Sequence, residues 1–177
     1  SHSLLLKMRA KKLARLSLMT AVSFVLLYLA SVIPSGKLAL TAIAGMTTAL
    51  GVIESGLTGG FLVWAAAGAV SLILIPSKDS AILYTVFFGI YPVVKSLIER
   101  LGKIWLEWIL KLAFFAGMLT VCTLVFREFF AAYATGIFSL LTVVYLLGAA
   151  VFVIYDIGFS KLIAYYMSRI ANRGKKN

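Results

Sequence analysis

One cysteine, one histidine and three prolines in 177 residues leave little material for side-chain chemistry. Cys122 stands alone in an apolar run, which excludes an intrachain disulfide and a thiolate metal cluster. His2, the only histidine, sits in the opening SHS, so the rest of the chain lacks the usual general base and metal ligand. Residues 1–7 read as a tag remnant or leader, with Met8 a natural start before RAKKLARL. Acidic residues are scarce as well, 6 Asp+Glu against 17 Lys+Arg. No nucleotide-binding loop of the form GxxxxGKS or GxxxxGKT occurs, and no nucleophile–base set can be assembled. Neither an enzyme nor a nucleotide-driven pump acting alone is expected, and no cofactor or metal is implied.

What the chain has in abundance is apolar surface. It is 62% apolar and 13% charged, with a mean hydropathy of +1.03. A soluble domain is nearer half apolar and a quarter charged. The expected class is an all-α integral membrane protein in a lipid bilayer. The net charge of +11 does not point to nucleic acid, because the basic residues gather at the two ends, KMRAKKLAR and SRIANRGKK, beside apolar runs. That placement fits orientation by the positive-inside rule and attraction to anionic lipid heads.

A spanning helix needs about 20 apolar residues. Six such segments are expected, at 13–33, 38–53, 57–75, 80–97, 104–126 and 136–157, with a basic interfacial extension over 158–177. Residues 8–177 then form one transmembrane domain. Pro92 should kink or break the fourth segment, and five spans result if that segment is re-entrant. Charge separates the two counts. With six spans, Lys7, Arg9, Lys11, Lys12 and Arg15 share one side with Lys95, Arg100, Lys103 and the basic residues of 161–176. Only Lys37, Lys78 and Arg127 lie opposite. Six spans with both termini cytoplasmic satisfies the rule.

The run KIWLEWILKLAFF, residues 103–115, places Glu107 and Lys111 four apart inside an aromatic segment. The spacing suits a helical ion pair. Trp105 and Trp108 suit an interfacial belt, and the lysine stem can snorkel outward. A boundary of the bilayer is the plainer reading, a proton relay or partner contact the alternative. Glu54 reads as a turn residue and Asp156 as an interfacial partner for a cation such as Lys161. Small residues crowd the second and third segments, including Gly45, Gly51, Gly59, Gly60 and Gly68, as close helix packing in lipid requires. The first segment carries a small-residue face, Ala14, Ser17 and Ala21, open to a partner.

The basic leader KKLARLSLMTAVSFVLLYLASVIP, followed by LTAIAGMTTALGVIESGLTGGFLVWAAAGAVSLIL, resembles the S components of energy-coupling factor (ECF) transporters. These are membrane subunits that bind vitamins and related micronutrients. The resemblance implies a six-helix bundle and three partners, a coupling transmembrane subunit and two ATPase subunits. In the family the first helix docks through an Ala-xxx-Ala step, which here falls on Ser17 and Ala21. The family's substrate pocket lies under the loops joining helices one–two, three–four and five–six. Carried over, it would draw on Ser35, Lys37, Ser77, Lys78, Asp79, Tyr84, Arg127 and Tyr133. Lys37, Lys78 and Arg127 favour a ligand with an anionic group. Two rivals remain: a non-transporting scaffold of the cell envelope, of the shape-determining type, and a small stand-alone solute carrier.

Overall fold

The computed structural model describes residues 2–33, 35–76, 78–125 and 137–175. Among the described residues every regular element is helical: α1 His2–Val32, α2 Lys37–Leu74, α3 Lys78–Leu83, a π-helical turn Tyr84–Phe88, α4 Tyr91–Glu99, α5 Ile104–Val125 and α6 Ile137–Gly174. Five stretches are long and apolar enough to cross a membrane: His2–Val32, Lys37–Leu74, Lys78–Glu99, Ile104–Leu124 and Thr142–Gly174. Large apolar side chains face outward along them, with Ile73 75%, Ile104 73% and Ile154 72% exposed. In water such a surface would drive aggregation; in lipid it faces its natural solvent. This is the build of a multi-pass membrane protein.

The two expected spans 38–53 and 57–75 fall in one helical run, α2. Gly56 interrupts it with φ 74° and ψ −169°, a region of backbone space essentially confined to glycine. The break divides α2 into limbs 37–55 (α2a) and 57–74 (α2b). A Cβ placed on Gly51 would sit 3.1 Å from the Gly59 oxygen and 3.2 Å from the Gly60 Cα. On one straight helix residues 51 and 59 would be about 12 Å apart along the axis. The limbs therefore double back and pack side by side, and glycine is what lets their backbones approach.

The expected disruption at Pro92 takes a definite form. Pro92 occupies the first turn of α4, where no amide donor is needed. Four residues earlier the Phe88 carbonyl receives no helical N–H from it, and the π-helical turn with the short bend after it absorbs the mismatch. The Phe88 carbonyl is directed at Gly45, so closely that an added Cβ there would collide with it.

The chain divides into two compact units, Ser1–Lys111 and Leu112–Asn177. In the first, α1 packs on α2, and α2 packs on α3, the π turn and α4. Its core is Leu27, Ala44, Ala67, Ile75 and Tyr84, with Phe24, Leu26 and Trp64 against them. The Trp64 indole is anchored by an N–H bond of 2.8 Å to the Thr85 carbonyl. In the second unit the end of α5 runs antiparallel to α6. Phe115 stacks on Phe152 at 5.0 Å between ring centres, Thr120 meets the Tyr145 hydroxyl at 2.7 Å, and Gly148 makes room for the Phe115 ring. α6 continues without a break through most of the expected extension, to Gly174.

Candidate functional site

Residues expected to meet a substrate gather where α2 begins and α3 begins. The Lys37 ammonium donates to Asp79 Oδ2 at 2.6 Å, and Asp79 Oδ1 accepts the Ser80 backbone N–H at 2.9 Å. Asp79 thus stabilises the first turn of α3 while holding the start of α2a. Lys78 turns to the C-terminal carbonyls of α2b, donating to Leu72 O at 2.6 Å and Ile73 O at 3.4 Å. These are the acceptors that a helix end leaves without donors. Ser35 is exposed in the α1–α2 turn. Tyr84 faces the core, fully buried, with its hydroxyl 3.1 Å from Thr48 Oγ1. Ser77, Arg127 and Tyr133 lie outside the described residues.

Tyr84 belongs to a buried set of hydroxyls whose grouping the sequence did not reveal. Ser23 of α1 bonds Thr47 of α2a and reaches the Ala44 carbonyl at 3.4 Å, while Thr47 donates to the same carbonyl at 2.6 Å. The grouping was not legible, because only the α1–α2a crossing brings Ser23 to Thr47. In an apolar surround these bonds join three segments where hydrophobic attraction between helices is weak. Two further hydroxyls, of Ser71 in the last turn of α2b and Ser80 in the first turn of α3, are buried with no hydrogen-bond partner among the described residues.

The small-residue face of α1 is open. Ala14, Ser17 and Ala21 are all exposed, and their spacing puts them on one side of the helix. Ser17 borders a groove of about 300 Å³ shared with Leu16, Thr20, Leu62 and Ala66.

At the end of the first unit away from Lys37 and Asp79, Glu99 accepts from Lys95 at 2.5 Å and from Lys111 at 2.9 Å. Lys111 also lies over the Trp108 ring, 5.0 Å from its centre. The expected helical partner of Lys111 was Glu107; the lysine crosses to Glu99 on the preceding helix instead. Both lysine side chains are buried, 3% and 5% exposed, and Glu99 is 40% exposed. Neither lysine snorkels freely, since a carboxylate comes to meet it. The Lys95–Glu99 spacing was the signal that could have found this cluster. Asp156, expected at an interface, is buried, 1% exposed.

Among the described residues no group of His, Cys, Asp and Glu could hold a metal ion. Hydroxyls and ion pairs can bind, orient and cap. Compared with known protein families, characterised proteins and solved structures, the chain shows no significant match.

Proposed function

We propose that the chain is the substrate-binding membrane subunit of an ECF-type importer. It has six spans, counting α2a and α2b separately, and both termini are cytoplasmic. It captures a vitamin or similar micronutrient outside the cell, and a coupling transmembrane subunit with two ATPase subunits drives release inside. The observation that carries this reading is the exposed Ala14–Ser17–Ala21 face of α1. In lipid, small side chains promote association by letting a partner helix approach closely.

The substrate end is supported by the buried Ser71 and Ser80 hydroxyls. Each unmade bond costs about 1–3 kcal/mol, which a polar ligand would relieve. An anionic ligand contacting Lys37 has to compete with Asp79 for the ammonium. A second reading, a scaffold without a ligand, draws on that same closure, since Lys37, Lys78 and Asp79 are already engaged with the protein itself.

Copurification separates the two. The tagged chain, coexpressed with an ECF ATPase pair and coupling subunit from the same genome, is expected to retain all three. Ser17→Leu and Ala21→Leu should abolish retention without loss of the chain from the membrane. Absence of the complex with the native chain would overturn the transport reading.

A further inference from the structure

The seam between α1 and α2 is hollow along about four turns of α1, from Leu5 to Thr20, and its two parts differ in character. Near the α2 turn, a cleft of about 400 Å³ is lined by the apolar Leu5 and Met8 and by the cations Arg9, Lys11, Lys12 and Arg15, with Glu54 and Ser55 opposite. Arg15 pairs with Glu54 only at 3.9 Å, with the arginine side chain 69% exposed. Four cations therefore face one carboxylate. The groove at Ser17 follows, walled by Leu16, Leu62 and Ala66. Its Thr20 hydroxyl is already turned back to the Leu16 carbonyl at 2.9 Å, which leaves an essentially apolar channel. Leu16, a wall of this groove, is buried against Gly59, one turn along α1 from Lys12 of the cleft.

α1 has 31 residues, or about 46 Å, against a hydrocarbon layer of about 30 Å. Its first ten or so residues project beyond that layer, which brings Arg9, Lys11 and Lys12 to headgroup level and leaves Arg15 about a turn further in, within reach of it by snorkelling.

We propose that this seam binds one anionic phospholipid. The phosphate sits among Arg9, Lys12 and Arg15, and an acyl chain lies along Leu16, Leu62 and Ala66. Charge complementarity selects the occupant. A zwitterionic lipid brings its own cation to a cleft with cations in excess, and an apolar partner helix would leave those cations without counter-charge. The inference goes beyond the transport reading and does not depend on it.

Native mass spectrometry of the full chain in non-ionic detergent tests it, with dioleoylphosphatidylglycerol and dioleoylphosphatidylcholine added in turn. The phosphatidylglycerol is expected to remain as a one-to-one adduct and to bind at least tenfold more tightly than the phosphatidylcholine. Lys12→Gln with Arg15→Gln should weaken it about 25-fold, each cation beside an anionic headgroup being worth about fivefold. The weak phosphatidylcholine binding should not change, which also reports that the variant is folded. Leu62→Trp, which fills the apolar part, should weaken both lipids. Equal binding of the two lipids would overturn the proposal. So would an equal loss in Lys161→Gln with Arg173→Gln, which marks attraction to charge anywhere on the chain. Displacement by millimolar inorganic phosphate would overturn it too, because the site would then belong to free phosphate.

Discussion

Gly45 shows how one residue type can be demanded by a neighbour's backbone. Its Cα faces the Phe88 carbonyl, and that carbonyl stands where it does because Pro92 supplies no donor four residues on. The pairing makes Gly45→Ala an overpacking substitution against backbone, which cannot rotate aside as a side chain would. It should lower stability by about 1–3 kcal/mol, read as an earlier unfolding midpoint when the detergent-solubilised chain is titrated with sodium dodecyl sulfate. An unchanged midpoint would mean the two segments are not in contact. Sequence alone showed Gly45 as one of many small residues in a packed span. It could not say which partner each glycine admits, because that depends on which helices meet and at what crossing.

At the scale of the element, α2 is the informative case. Its residues were read as two spans from two apolar runs parted by Glu54-Ser55-Gly56, and the chain doubles back at that point. A 38-residue helical run is legible as a hairpin only through the one glycine whose dihedrals no other residue adopts without strain. Gly56→Ala has open space around its new methyl, so its whole effect is backbone strain, about 1–3 kcal/mol. The same titration should detect it, and the limbs should repack less tightly, seen as faster trypsin cleavage near Arg15 and Lys103. No loss of stability would place the turn elsewhere. The charge clusters divide differently. Lys37 and Asp79 lie 42 positions apart and Glu99 and Lys111 lie 12 apart. Nothing in their local spacing announces either pair: the bundle brings the starts of α2 and α3 together in the first, and the end of α4 to the second turn of α5 in the other.

At the scale of the whole molecule, the six-span proposal makes a statement about sides. With Cys122 replaced by serine, single cysteines at Ser35 and at Asn172 should react with a membrane-impermeant maleimide from opposite faces of sealed vesicles. Cysteine at Lys103 should share the face of Asn172. Labelling of positions 35 and 172 from one face would remove both the six-span count and the cytoplasmic assignment of the two termini. The asymmetry of Lys and Arg carries the expectation, since the cost of moving cations across the bilayer orients the chain during insertion.

Hydropathy and composition were enough to determine that this chain lives in lipid as helices, and roughly where each apolar run begins and ends. Both follow from a local rule: every backbone amide in hydrocarbon must be satisfied within its own segment. The tertiary structure alone decided which glycines admit which backbones, that Ser23, Thr47, Thr48 and Tyr84 form one buried polar set, and that Lys37 answers Asp79 while Lys111 answers Glu99. Those contacts depend on how helices cross, and in a bilayer crossings are chosen by close packing and a few hydrogen bonds rather than by burial of apolar area. Such terms act between residues far apart in the chain, and no pattern of periodicity within one segment encodes them.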